Sequence, residues 1–535
     1  MTILSRASVP LSDHEICLVK GLLKHCKPLK INQQRIIAHF SFPHRTLHHN
    51  VVSAIARNQA GTDDIDYPPA NLAECQYYLN AWTGDWDEHI CAVAIAGAPN
   101  SSMHTLEFGY RFHPVGQGLF CSGHFNRPGQ QPFRWVYDCG TEAGLRSETR
   151  AQHVRNEIAA LQRDQEADHL DLVTLSHFDE DHLSGMLDLL KSFSVGTILI
   201  PYLTPWERLI VALSEDTATD SDLLAFLKAP TAFLLARADG RIERIVLVPP
   251  GPGAEAAAPL TPPDAPIRGE EPLGLPPLLI KDREPDGEAD NDGLGADGGM
   301  TDPRVRALDA GGFILVSQAW EFVPYNDSRL EPLATKKFKD TARPLAVKLA
   351  HSEKEEDRKS ALGDMKKLYD ATFKSPSAKT ITPRRRNEIS LFLYAGPIGR
   401  VELLTAEVTI PRHGMDSRIG QVPRGWRQTD RFGQMLTGDG FLHTQKQVDD
   451  FERFYRVADR MIRGAIFQVM HHGSDANWKG GVADLVKPVA SLYCSDPLGK
   501  WGHPGTKVRN DFARYHPVQV DGVHGWQVEG VYRFL

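Results

Sequence analysis

The segment Ser176-His-Phe-Asp-Glu-Asp-His182 constrains this chain more than any other. It sets two imidazoles and three carboxylates within six positions, directly after an apolar run over 170–175 that reads as a buried strand. Such a density of ionisable groups is costly to fold around unless the groups share a purpose, because a buried charge must be paired or bound to a metal. A turn can direct His177 and Asp179 to one point and Asp181 and His182 to a second point a few Å away. That arrangement suits two divalent cations about 3.5–4 Å apart sharing one activated water.

The rest of the chain is long enough to carry such a centre and more. At 535 residues, with 41% apolar and 24% charged side chains, it predicts at least two folded units with a sizeable core. Ser12-Asp-His-Glu15 has the form of a capping box ahead of Ile16, Val19, Leu22 and Leu23. Asn32 can cap a second short helix, and Thr46 a third after the break at 41–45. Three short helices with a tight break before the last predict a helix-turn-helix-like region over 1–100. Residues 1–60 hold eight Lys/Arg against two Asp/Glu, while the whole chain carries a net charge of −8. Arg45, His48, His49, Asn50 and Arg57 are therefore candidates for nucleic-acid contact; the other reading is a basic module that docks a protein partner. The first thirty residues lack a secretory-signal pattern, no 18-residue apolar run occurs, and the seven cysteines form no CxxC pair. These features predict no membrane span, no disulfide scaffold and a cytoplasmic setting.

From about residue 100 the pattern is α/β: strands near 106–112, 119–124 and 133–138, an exposed helix over 147–166, then the strand at 170–175. Residues 249–302 are Pro/Gly/Ala-rich and then acidic, with eight Asp/Glu between 282 and 302, and read as a solvated linker. An EF-hand register starting at Glu288 fails, because position 12 falls on Gly299 where a bidentate Glu is needed. The domain beginning at 101 is thus expected to run to 535, interrupted by a partly disordered insertion at about 214–385.

His177-Phe-Asp-Glu-Asp-His182 with Leu183-Ser-Gly185 resembles the metal loop of the metallo-β-lactamase fold, in the HxDxDH form of its ComEC-type branch. Val115-Gly-Gln-Gly118, Tyr137-Asp-Cys-Gly140, Asn387-Glu-Ile-Ser390-Leu-Phe-Leu393, Leu436-Thr-Gly-Asp439, His471-His-Gly-Ser474 and Gly502-His503-Pro504 resemble further landmarks of that branch, in the same order. The resemblance implies an αββα sandwich. It also implies that His177 and Asp179 hold one metal, Asp181 and His182 a second, Asp439 bridges both, and His471 or His472 completes the second site. Asp138 and Asn387 would stand behind the ligands, and Asp181 and His503 would serve catalysis, His503 by protonating a leaving oxygen or holding a phosphate. Asp179 and Asn387 replace the nitrogen ligands common in the family with oxygen, which favours Mn²⁺ or Mg²⁺ relative to an all-nitrogen Zn²⁺ site. Gly505 stands where relatives often have another histidine, and the family's membrane domain is absent.

Two divalent ions, Zn²⁺ or Mn²⁺ with Mg²⁺ a third option, then imply a metal-dependent hydrolase attacking an ester with activated water. The resemblance to the ComEC-type branch and the basic amino-terminal segment favour a nuclease or phosphodiesterase. The alternatives are a hydrolase of small or phosphocholine-type esters, and a non-catalytic DNA-binding or scaffold component of a bacterial antiviral defence system.

Overall fold

The computed structural model describes residues 13–29, 31–39, 49–58, 69–70, 72, 75, 105–126, 131–142, 148–165, 167–214, 222–250, 278–280, 282–285, 297–309, 311–316, 319–326, 336–352, 354–373, 390–398, 401–423, 426 and 431–534. The chain is mixed α/β with two mixed sheets. The eleven-stranded sheet runs, edge to edge, Met415–Ile419, Val401–Arg412, Trp526–Phe534, Thr105–Phe112, Phe120–Asn126, Phe133–Cys139, His169–Thr174, Ser194–Pro201, Ile242–Val248, Val305–Leu308 and Asp282–Arg283. The eight-stranded sheet runs Pro517–Val520, Ala490–Cys494, Gly464–Gln468, Gly433–Leu436, Leu391–Pro397, Trp320–Asn326, Ile314–Val316 and Leu278–Ile280. Phe133–Cys139 pairs parallel with His169–Thr174, and Gly433–Leu436, Gly464–Gln468 and Ala490–Cys494 also run parallel.

Aromatic side chains from both sheets make the central core. Trp135 meets Trp320 at 5.6 Å and Phe322 at 5.3 Å between ring centroids, and the Tyr137 hydroxyl donates across the sheets to the Leu391 carbonyl. Each such buried aromatic contributes on the order of 2–3 kcal/mol through removal of apolar surface from water. Helices cover the outer faces. Helix Arg150–Gln165 turns Val154, Ile158 and Leu161 inward at spacings of four and three, against the larger sheet. Helix Gln445–Tyr455, started by a Thr444/Gln447 capping box, packs Val448, Phe451, Phe454 and Tyr455 on the smaller one.

Three amino-terminal helices, Asp13–Lys24, Gln33–His39 and His49–Ala56, enclose a small apolar cluster of their own with Leu18, Val19, Leu22, Ile36, Val51, Val52 and Ile55. The third starts past the capping position Thr46, which lies outside the described residues.

The described residues of the insertion expected at about 214–385 contribute strands to both sheets. Ile242–Val248 and Val305–Leu308 are members of the larger sheet, and Trp320–Asn326, every residue buried, is a member of the smaller one. Within the supposed linker, Leu278–Ile280 pairs with Ile314–Val316. Asp297 is buried and accepts from the backbone N–H groups of Thr231 and Ala232 at 2.9 and 3.1 Å. These are the first turns of helix Pro230–Arg237, whose amides lack partners within the helix. Averaging composition over 249–302 hid an apolar triplet and a capping carboxylate. Helices Lys336–His351 and Glu355–Phe373 pack together, with Phe338, Ala342, Leu362 and Met365 in the outer core.

Candidate metal centre

The centre gathers at the carboxyl ends of strands from both sheets, where loops leave the backbone ladder and side chains can converge. From the larger sheet, Phe133–Cys139 ends in Asp138 and His169–Thr174 leads into Ser176–His182. From the smaller, Gly433–Leu436 leads to Asp439, Gly464–Gln468 to His471 and His472, and Ala490–Cys494 towards His503. Asp179 is the N-cap residue of the single-turn helix Glu180–Leu183, so Asp181 and His182 project from its first turn.

Asp439 sits in the middle. Its Oδ1 lies 3.1 Å from His182 Nε2 and 3.6 Å from His472 Nε2, while its Oδ2 lies 3.5 Å from His471 Nε2 and 3.9 Å from His177 Nε2. Asp181 Oδ2 is 2.9 Å from His472 Nε2 and 3.8 Å from His182 Nε2; Asp179 Oδ2 is 3.7 Å from His177 Nε2. Ligands about 2.0–2.2 Å from a tetrahedral cation lie roughly 3.4 Å apart, so these separations bracket what one ion between them needs. Asp181, His182, Asp439 and His472 form one compact buried set, and His177, Asp179 and Asp181 another. Both histidines of the pair left open by sequence reach the centre: His472 joins His182, and His471 faces the oxygen of Asp439 turned to His177.

Hydrogen bonds decide which ring nitrogen is available. His472 Nδ1 donates to the Cys494 carbonyl at 2.6 Å, and His182 Nδ1 donates to Asp138 Oδ2 at 2.7 Å. Ser176 Oγ donates to Asp138 Oδ2 at 2.6 Å and accepts from His177 Nδ1 at 2.8 Å. Each of these Nδ1 atoms is thereby engaged, and each Nε2 faces the carboxylates, His182 Nε2 bonding Asp439 Oδ1 at 3.1 Å and His472 Nε2 bonding Asp181 Oδ2 at 2.9 Å, an orientation of the rings that suits metal ligation. His177 Nε2 is buried and finds no hydrogen-bond partner among the described residues. An orphaned buried nitrogen costs free energy that a cation would recover, so the donor set fits a metal ion.

The backbone is shaped to the same end. Asp138, His471 and His472 adopt φ of 55°, 47° and 57°, a left-handed conformation that costs a non-glycine residue about 1–2 kcal/mol. Asp138 is held there by bonds from the Ser176 N–H and hydroxyl, and the His471 N–H donates to the Gly438 carbonyl at 2.9 Å. Gly438 itself has φ of 51°, and a Cβ there would meet Ser390 Oγ at 2.5 Å and Ser176 Cβ at 2.7 Å. Only glycine lets the Asp439 loop close over Ser176.

Charge follows position. Burial and the neighbouring His182 hold His177 down to about 3, a neutral imidazole. Burial opposes ionisation of Asp181, but His182 and His472 outweigh it and bring the carboxyl down to about 2. Burial likewise opposes charge on His182, but Asp439, Asp181 and Asp138 raise it well above the usual histidine range. His503 is drawn down to about 4 by burial and by His472 and His471; its ring centroid lies 6.2 Å from that of His471. At Gly505 a Cβ would come within 2.3 Å of the Asp475 carboxylate, which occupies the space a further histidine would need.

Among residues that sequence reasoning gave no role, Ser176 links His177 to Asp138. Ser390 Oγ accepts from the Asp439 N–H, and Asn477 Nδ2 donates to the Asp439 carbonyl. The serines stand inside the quoted motifs, and that adjacency was the available signal; Asn477 carried none. Asn387, Arg45 and His48 lie outside the described residues, as does the side chain of His49. Asn50 and Arg57 are exposed in the amino-terminal helical cluster and do not join the centre.

A second buried group lies elsewhere. His413 Nδ1 bonds Glu157 Oε1 at 2.5 Å and its Nε2 bonds Glu148 Oε2 at 2.9 Å, while His153 Nε2 donates to the Pro114 carbonyl at 2.7 Å. The His153 and His413 rings stack at 3.9 Å and 12°. No helix among the described residues is long and apolar enough to cross a membrane. No protein-family model matches the chain, and comparison with curated proteins finds no match either.

Proposed function

We propose that the chain is a metal-dependent hydrolase of the metallo-β-lactamase fold, most simply a nuclease or phosphodiesterase working with two divalent ions, Zn²⁺ or Mn²⁺ with Mg²⁺ a third option. The observation that carries this reading is the convergence of four Nε2 atoms on the Asp439 carboxylate, with Asp181 and Asp179 completing two overlapping donor sets, at a rim supplied by strands of both sheets. The order of helix layer, two sheets and helix layer supports the fold assignment, and so does the order of the sequence landmarks.

Cations held there supply Lewis acidity towards an ester oxygen and an activated water for the attack. The chain's own part is positional. Asp439 offers one oxygen to each side of the centre and so fixes the separation of the two halves. Asp138 and Ser176 hold the imidazoles in register, and His503, kept neutral, can donate one N–H to a substrate oxygen. The mixed nitrogen and oxygen donor set supports Zn²⁺ and Mn²⁺ above Mg²⁺. The basic balance of residues 1–60, with Asn50 and Arg57 exposed, supports nucleic acid as the substrate and, as a second role, docking of a protein partner.

The test is a panel of single-stranded DNA, double-stranded DNA, RNA and small phosphate and acyl esters, assayed with Zn²⁺, Mn²⁺ and Mg²⁺. Cleavage of a nucleic acid by the wild type, lost in Asp439→Ala, is expected. Turnover confined to small esters would replace the nuclease reading, and metal binding without turnover on any substrate would support the scaffold reading.

A further inference from the structure

The geometry points to Trp501, with Lys500 beside it, as a stacking platform that holds a nucleobase of a single-stranded substrate at the mouth of the metal centre; the inference rests on the phosphodiesterase reading above. Trp501 lies two residues before His503, and a chain spans at most about 3.6 Å per residue, so the two Cα atoms are within roughly 7 Å. The indole is 48% exposed, and Leu498 in the same loop is 90% exposed. Half-open aromatic surface beside a charged centre is a feature of sites where an aromatic ligand completes the burial.

The indole is held in place without being buried. Trp501 Nε1 donates to Glu142 Oε2 at 2.9 Å, and the Glu142 N–H donates to the Gln117 carbonyl at 2.7 Å. Two residues before Glu142, Gly140 packs so closely on the metal loop that a Cβ there would lie 2.6 Å from the Asp181 carbonyl carbon. The platform is thus braced against the backbone that carries Asp181. Lys500 Nζ lies over one face of the Trp501 ring, 4.3 Å from its centroid, so a base would stack on the opposite face with this cation available to a flanking phosphate. The carboxylate of Asp496, in the same loop, is engaged by the Leu498 N–H at 3.0 Å. A flat π-face with an adjacent ammonium is the pairing that binds single strands without reading their sequence.

The experiment compares cleavage of an eight-residue oligothymidylate with that of an abasic oligodeoxynucleotide of equal length, using full-length wild type, Trp501→Ala and Trp501→Phe with Mn²⁺. The wild type is expected to prefer the base-bearing strand by about 5- to 150-fold in KM, the range stacking of one base commands. Trp501→Ala should erase that preference through KM, and Trp501→Phe should retain most of it. Metal content equal to wild type in both variants confirms an intact centre. A preference that survives Trp501→Ala, or equal cleavage of both strands by the wild type, overturns the platform while leaving the phosphodiesterase reading standing. Cleavage of neither strand overturns the platform, and the phosphodiesterase reading falls with it only if double-stranded DNA, RNA and small phosphodiesters are left intact as well.

Discussion

The chain buries two groups of histidines and carboxylates of similar composition, and they are built differently. Around Asp439, His177, His182 and His472 give up their Nδ1–H to the protein and turn Nε2 inward, and His177 Nε2 has no hydrogen-bond partner among the described residues. Around His413 the difference lies in how the rings are set, since His182 too bonds carboxylates through both nitrogens and His153 Nδ1, like His177 Nε2, has no hydrogen-bond partner among the described residues. Both of its nitrogens bond carboxylates, Glu157 and Glu148, and its ring lies nearly parallel to that of His153. A lone pair lies in the plane of its ring, so two stacked rings cannot both aim at one ion. The convergence of ring planes on one point, more than the count of histidines, distinguishes the candidate metal centre from the stacked group.

The sharpest way to break this comparison is to remove the shared carboxylate. Asp439→Ala should lose bound metal from both halves of the centre and lower hydrolysis below detection, whereas His413→Ala should keep full metal content. Elemental analysis of both proteins after reconstitution and dialysis checks it. A smaller effect is expected behind the ligands. Asp138→Asn leaves His182 without its ionised acceptor and should weaken metal binding about 10- to 100-fold, as measured by competition with a chromophoric chelator.

The second group should answer to pH. Burial opposes ionisation of Glu157, but hydrogen bonds from His113 and His413 outweigh it and hold the carboxyl down to about 2 from an ordinary 4.5. A lowered carboxylate stabilises the fold above the unfolded value and loses that contribution as pH falls through the folded one. Between pH 4.5 and 2 the wild type should therefore lose on the order of 3 kcal/mol that Glu157→Gln does not lose. His413 is raised above its ordinary value, chiefly by its bond to Glu157, so its contribution is full below about pH 6.5 and fades as pH climbs through the raised value. Urea midpoints of the two proteins measured across pH 2–9 test both limbs.

The smallest expected effect concerns the amino-terminal helices. A chain starting near residue 61 should bind single-stranded DNA more weakly than the full chain and with a shallower salt dependence, because eight Lys/Arg are removed with only two Asp/Glu. Equal affinity and slope would assign those helices to a protein partner.

Much of the candidate site was legible because its residues are local in sequence. Four of them fall within 177–182, and a strand followed by that loop has few ways to arrange them. The choice between His471 and His472 was not legible, since it turns on three successive left-handed residues and on a carbonyl at Cys494 that sequence does not bring near. Helix Arg150–Gln165 was readable from its charge pattern, but the pairing of its His153 and Glu157 with a hairpin residue some 256 positions away was not. The region 249–302 misled because composition describes the average residue of a segment, whereas Leu278–Ile280 and Asp297 act one at a time.

Metal stoichiometry shows whether the Nε2 atoms around Asp439 converge to hold cations. Wild-type protein reconstituted separately with Zn²⁺, Mn²⁺ and Mg²⁺, then dialysed and analysed by elemental mass spectrometry, should retain up to two ions per chain with at least one of these metals. Folded Asp439→Ala protein should retain none. A wild type that retains no metal under any of the three conditions, or an Asp439→Ala protein that retains as much as the wild type, would contradict the account.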